Sequence, residues 1–326
     1  MQPRWVKTGI EMFSLPMPRL VGCLGLMLIV ASIGSNCLPA RAADAEQGSL
    51  TQATSAPAID PFHEIETKYI FGFTEGADIE AEGEKAIEFE TTGSFGMRGG
   101  SFSAIEQEIE FENTPTQFFE YELSAHGLYQ SINDVDGLDN FHNFNFSGLS
   151  AKLRFLLLGR GPESPIGLTF VVEPEWARVD DVSGALTNNF GTTLKLVIDT
   201  ELISNRLYAA ANLTYEPDIS REFGVPKWEQ SSNLGMTTAL AYRINPKVTI
   251  GAELQYYRAF DGLGMQTFLG NALYVGPTLH IQLSNKMMVA AAFSTEVSGH
   301  AVGEGRSLDL TNFQRNLANL KLEFEF

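Results

Sequence analysis

Residues 320–326, "LKLEFEF", place Leu320, Leu322, Phe324 and Phe326 at every second position, with Lys321, Glu323 and Glu325 between them. Successive side chains of a strand point to opposite faces, so this is a ribbon with one greasy side and one charged side. What each side meets decides the fold.

The same sorting works backwards along the chain. From about residue 84 onward, alternating segments are punctuated by Gly, Pro, Asn and Asp, and no stretch sustains a helical period. Twelve such segments stand out, at residues 87–95, 105–111, 119–129, 149–157, 166–176, 194–198, 207–215, 234–242, 248–256, 273–283, 287–297 and 318–326. In the third, the odd positions are Phe, Tyr, Leu, Ala, Gly and Tyr, whereas Glu120, Glu122, Ser124, His126 and Leu128 occupy the even ones. The chain reads as all-β.

A water-facing β-sandwich would also alternate, and three features argue against it. First, short connections (residues 113–117, 245–247, 284–286) alternate with long Gly/Asp-rich ones (residues 133–140, 217–227, 259–271, 299–315). That alternation is the pattern of outer-membrane barrels, with short periplasmic turns and longer outer loops, and it requires an even strand number. Second, the outward aromatics fall at strand ends. Tyr129, Trp176, Phe190, Tyr215, Trp228 and Tyr256 lie beside long loops, and Phe119, Tyr121, Phe155, Tyr242, Phe324 and Phe326 beside short turns. Tyr121 to Tyr129 spans roughly 20 Å along a barrel axis and Trp228 to Tyr242 roughly 35 Å, bracketing an apolar band of about 25 Å.

Third, the polar faces segregate by sign. Glu88, Glu90, Glu106, Glu108, Glu110, Glu120 and Glu122 share one face of the first three segments, and Lys152, Arg154, Lys195 and Arg206 follow on that face of later ones. Closed into a barrel, these become an acidic wall and a basic wall. The reading is a transmembrane antiparallel up-and-down β-barrel of about 12 strands over residues 84–326, since only a closed sheet leaves no unpaired backbone edge in hydrocarbon.

The front of the chain supplies a compartment. Arg4, Lys7 and Arg19 precede an apolar run over residues 20–33, and Ala40-Arg41-Ala42 is a small-x-small cleavage pattern. Residues 1–42 read as a secretory signal cut near Ala42, the apolar run being short of the roughly 20 residues a spanning helix needs. Both cysteines, Cys23 and Cys37, leave with it, so the mature chain has no disulfide framework. Cleavage removes four of 22 basic residues and one of 40 acidic ones, leaving a net charge of −21. So acidic a chain is no default partner for nucleic acid. Residues 43–83 read as a flexible leader in which Tyr69-Ile70-Phe71-Gly72-Phe73 is a candidate plug inside the lumen, an added strand, or a periplasmic tail.

A signal peptide, a cysteine-free β chain and a terminal Phe326 together resemble outer-membrane β-barrels of Gram-negative bacteria, over about residues 84–326. The resemblance implies an outer-membrane location, lipid as partner, and a final aromatic strand that addresses the barrel-assembly machinery. More weakly, residues 73–90, "FTEGADIEAEGEKAIEFE", resemble the start of uncharacterised proteobacterial barrels grouped with proposed transporters of phenol-degradation pathways. No substrate or binding residue transfers from that likeness.

Twelve strands lie between barrels just filled by side chains and those holding an open channel. The leading expectation is a passive channel for small solutes, lined by Glu106, Glu108, Glu110, Glu120, Glu122, Lys152, Arg154, Lys195, Arg206 and Glu253, and weakly cation-preferring because its excess charge is acidic. Its rivals are a closed barrel whose lumen charges pair with one another, and a lipid-modifying enzyme with Ser or His at an outward rim position. Of the five histidines, His126 and His280 point inward and His142 and His300 fall in or beside loops; no cluster has metal spacing and no cofactor motif is present.

Overall fold

Each alternating segment forms a strand, and each strand pairs antiparallel with the next. The structure, a computed structural model, describes residues 65–161 and 164–326; the expected signal over residues 1–42 and the leader as far as residue 64 lie outside the described residues. In chain order the strands are β1 (Lys85–Phe95), β2 (Gly99–Thr116), β3 (Phe119–Val135), β4 (Phe141–Leu158), β5 (Ile166–Val179), β6 (Leu186–Ile203), β7 (Leu207–Glu222), β8 (Glu229–Asn245), β9 (Val248–Asp261), β10 (Thr267–Ser284), β11 (Met287–Ala301) and β12 (Asn316–Glu325). No helix occurs among the described residues. The sheet closes when β12 returns to β1, with Phe89 opposite Leu322 and Glu90 opposite Lys321. The protein is therefore a closed twelve-stranded antiparallel up-and-down barrel.

Side-chain parity matches the two-faced reading. Outward positions are apolar and exposed: Ile109 56%, Leu123 51%, Leu213 52%, Leu240 53% and Leu320 49%. Their inward neighbours Glu110, Ser124, Asn212, Ala239 and Lys321 are buried. Such a continuous apolar belt far exceeds the few hundred Å² that a water-soluble monomer tolerates. In lipid it costs nothing, because the greasy face meets acyl chains and the closed sheet satisfies its own backbone.

The end of the barrel that holds Lys85 and Glu325 carries the tight connections, and we call it the turn end. Phe119 stacks there on Phe155 (5.1 Å between ring centres) and lies 6.4 Å from Tyr121, while Phe89 meets Phe324 edge-on at 6.4 Å. Tyr242 and Phe326 stand at the same end. Toward the opposite, loop end stand Tyr129, Trp176, Tyr215, Tyr256 and Trp228, whose indole packs on Phe190 and under the guanidinium of Arg221 (4.6 Å).

The long loops expected at residues 133–140, 217–227 and 259–271 are shorter than their composition implied. Pairing continues into them, as far as Val135 in β3, Glu222 in β7 and Asp261 in β9. An 18-residue strand at about 3.3 Å per residue and a tilt of about 40° rises roughly 45 Å, well past an apolar band of about 25 Å. The asymmetry between the ends is thus a collar of sheet standing beyond the belt. Only residues 302–315 form an extended loop there, and it folds inward: Asp309 is fully buried and its N–H donates to Glu296 Oε1 at 2.7 Å.

Candidate functional site: a plugged lumen

Residues 65–84 form no strand; they enter the lumen from the turn end, double back and leave by the same end. The loop is clasped by its own groups: Gly76 N–H donates to the Lys68 carbonyl (3.1 Å), and Thr67 N–H and hydroxyl both donate to Asp78 Oδ2 (3.0 and 2.8 Å). Two glycines make the reversal possible. Gly72 has φ +105°, and a Cβ there would lie 2.7 Å from Thr278 Cγ2 and 2.8 Å from Ala292 Cβ; at Gly76 a Cβ would lie 2.2 Å from the Thr67 carbonyl oxygen. A larger residue at either site has no room.

Backbone groups of this segment have lost water and must find partners on the wall. Glu253 of β9 accepts from Phe73 N–H and Thr74 N–H through one oxygen, both at 3.1 Å. Asn212 of β7 makes a reciprocal pair with the Glu75 backbone (2.8 and 2.9 Å). Asp199 of β6 accepts from Ala77 N–H (3.0 Å), and Thr169 of β5 donates to the Ala77 carbonyl. The apolar tip needs a socket instead: Ile70 and Phe71 pack on Tyr208 and on Ala210, Ala239 and Ala241, whose small side chains leave the required volume. Tyr69 lies against Met288 and Ala290.

Charge completes the seal. Lys68 Nζ sits among Glu112 (2.5 Å), Glu120 (2.7 Å) and Glu122 (2.9 Å), all four side chains buried. Burial alone would push the Lys68 amine down toward neutrality; the three carboxylates outweigh it and hold it charged. Glu75 bridges Arg154 and Lys195, which overcome its burial and hold its carboxyl well below the usual range. Asp78 and Asp199 share Arg160 at 2.8 and 2.7 Å.

Above the plug, toward the loop end, lies a cavity of about 450 Å³ lined by Glu106, Glu175, Asp180, Asp181, Glu216 and Asp218 among serines, threonines and asparagines. No Lys or Arg lines it. Below the plug, a cavity of about 310 Å³ at the turn end is lined by Ile65, Glu66, Tyr69, Arg243, His280 and Glu323, among others.

Of the residues singled out from sequence as lining a pore, Glu106, Glu108, Glu110, Glu120, Glu122, Lys152, Arg154, Lys195 and Glu253 all project inward. Two facing walls do not form. Glu122 is the register partner of Lys152, and Glu120 of Arg154, on adjacent strands. Lys152 Nζ lies 2.6 Å from Glu122, so the basic row neutralises the acidic row beside it rather than opposing it across a gap. Arg206 stands apart from both: it is in the turn between β6 and β7, with Nη1 reaching the Arg243 carbonyl at 3.5 Å. Sequence reasoning also missed Arg160, which follows β4 at the turn end, and Lys68. The signal for Lys68 was present, as it is the one Lys or Arg between Ala42 and Lys85.

One further constellation has a chemical look. His126 Nε2 is 3.1 Å from Ser150 Oγ, and His126 Nδ1 is 3.2 Å from Glu106. This is nucleophile, base and orienting acid in order. However, Glu108 lies 3.9 Å from the same His nitrogen and Glu173 accepts from Ser150 at 3.2 Å. Carboxylates surrounding the serine oppose the oxyanion that acyl transfer must form. The group also faces the lumen, not the lipid rim.

A family model described as a family of unknown function (DUF6662) matches residues 63–326. No curated protein matches the sequence. Among solved structures the chain is similar to the COG4313 outer membrane channel from Pseudomonas putida F1, with 9% identity and a TM-score of 0.54 over 77% of this chain and 98% of that one. Lesser likenesses are to the NanC porin (9%, TM-score 0.44, 73% of this chain and 98% of that one). A similar level is found for the translocator domain of the autotransporter NalP from Neisseria meningitidis (11%, TM-score 0.45, 77% and 90%). At these identities the likeness to the channel speaks for the barrel fold alone.

Proposed function

The chain belongs to the family DUF6662, and we propose that it is an outer-membrane channel for small solutes whose passage is closed by residues 65–84. The observation that carries this reading is the pairing of an acidic, water-accessible cavity on one side of the plug with a second cavity on the other. Wall side chains just fill a barrel of about eight strands, so a twelve-stranded wall leaves space that an inserted segment can close. With the plug displaced, solutes cross by diffusion through a lumen in which carboxylates outnumber lysines and arginines, although Lys195 then loses Glu75. A carboxylate-lined constriction favours cations, so the preference is for cations and is weak, because most lumen charges are mutually neutralised.

The exported mature chain, its terminal strand engaging the barrel-assembly machinery, would lie in the outer membrane of a Gram-negative cell. The resemblance of residues 73–90 to barrels grouped with proposed phenol-pathway transporters supplies no solute. The protein is not read as an enzyme, on the electrostatic ground given for Ser150; a phospholipase assay on detergent-refolded protein is expected to show no turnover.

The test is planar-bilayer recording of the mature protein with and without residues 65–84 under a KCl gradient. The intact chain is expected to pass little current, and the shortened one to pass steady current with a zero-current potential of cation-selective sign. Equal currents would retire the plug; a potential of the opposite sign would retire the cation preference.

A further inference from the structure

Buried ionic groups must be paired or neutralised. In the turn-end half of the lumen nearly every carboxylate meets a base, but no ion pair among the described residues reaches Glu66, Glu80 or Glu323. Lys68, whose charge they feel, already serves Glu112, Glu120 and Glu122. Glu80 and Glu323 are 4% and 3% exposed, and Glu323 Oε2 has no hydrogen-bond partner. These two carboxyls converge with that of Glu112, such that one oxygen from each lies within 4.8 Å of the others.

We propose that Glu80, Glu112 and Glu323 bind a divalent cation of the calcium type, which pins the plug to β2 and β12. Two ligands of one Ca²⁺, at 2.3–2.6 Å each, stand at most about 5 Å apart, which this trio satisfies. An all-oxygen set of carboxylates selects a hard ion over zinc or copper. Glu66 and Glu323 also line the cavity of about 310 Å³ at the turn end, which supplies water for the remaining positions and a route inward. Lys68 fills the neighbouring trio Glu112, Glu120 and Glu122; Glu112 is common to both groups, its Oε2 meeting Lys68 at 2.5 Å and its Oε1 accepting from the Tyr69 hydroxyl at 3.0 Å, so in the proposed site Glu112 is a shared ligand and the oxygen without a hydrogen-bond partner is Glu323 Oε2. The site requires only that residues 65–84 sit in the lumen; it is independent of whether the barrel conducts.

Calorimetric titration of CaCl₂ into the detergent-refolded, chelator-treated mature chain tests it. One saturable site per chain is expected. Glu323→Gln and Glu80→Gln should each weaken it by about tenfold or more. Glu216→Gln makes the same charge change in the loop-end cavity, away from the trio, and should leave the affinity unchanged. Faster migration of unboiled than of boiled protein on a gel confirms that each variant is folded. Absence of saturable heat, or affinity undiminished in both Glu323→Gln and Glu80→Gln, overturns the site and leaves these carboxyls to share protons with one another.

Discussion

The two halves of the lumen are built from the same strands and treat charge in opposite ways. On β2 and β3 of the turn-end half, Glu112, Glu120 and Glu122 are each fully buried and each bound to Lys68. Further along β2, the Glu106 side chain is 41% exposed and faces a cavity without a basic residue in its lining. The difference lies in water. Where residues 65–84 exclude it, a carboxylate left alone costs several kcal/mol, so most acquire a base and the few that do not, Glu66, Glu80 and Glu323, gather near one another. Where water enters, solvent screens the charge and the carboxylates stay available to a passing ion.

The largest effect is expected where a buried charge loses its partner. Lys68→Met should strip the common base from Glu112, Glu120 and Glu122 and destabilise the seated plug by about 3–5 kcal/mol. Hydrogen exchange of the amides in residues 65–84 should then approach that of an open loop; unchanged protection would break the claim that charge holds the closed half. Phe71→Ala empties the socket made by Tyr208, Ala210, Ala239 and Ala241, at a cost of about 3 kcal/mol. Its readout is the fraction of time the bilayer current is on. Gly72→Ala forces a methyl against Thr278 and Ala292 and should loosen the same segment by about 1–3 kcal/mol. Here the Gly83→Ala variant, with nothing within 4 Å of its added Cβ, separates crowding from the backbone strain common to both positions. The smallest effect on stability belongs to the open half: Glu106→Gln with Glu175→Gln should change it by less than about 0.5 kcal/mol. That pair should instead reduce the cation preference of the plug-deleted barrel, and a potential that does not move would show that selectivity is set elsewhere.

How much of this could be read from residue order depends on who the partners are. The twelve strands and their inward and outward faces were legible because lipid and lumen impose a period of two on every segment, as in residues 119–129 and 320–326. Glu253 was placed inward by parity alone, but its role in capping Phe73 and Thr74 was not, because those amides lie about 180 residues away. The plug has no periodicity to read: it is a loop whose conformation is dictated by wall groups on eleven of the strands or their flanks, and only its apolar run, Tyr69 to Phe73, hinted at burial. A facing basic wall follows only if sign is followed along the chain. Pairing in an antiparallel barrel is lateral, and Lys152 meets Glu122 one strand over. Gly and Asp near strand ends signal turns, so composition overstates the loops; the collar keeps pairing without needing an apolar face.

Ion pairs of Lys68 reach residues only 44 to 54 positions ahead, whereas Thr67 meets Asp199 132 positions on and Lys321 meets Glu88 across 233. Loop-closure entropy favours the nearer partnerships first. Residues 65–84 would then settle on β2 and β3 early, and the later strands would wrap around them as around a mandrel until the last seam zips up. A chain that sealed that seam before threading its own amino-terminal segment would leave it stranded outside.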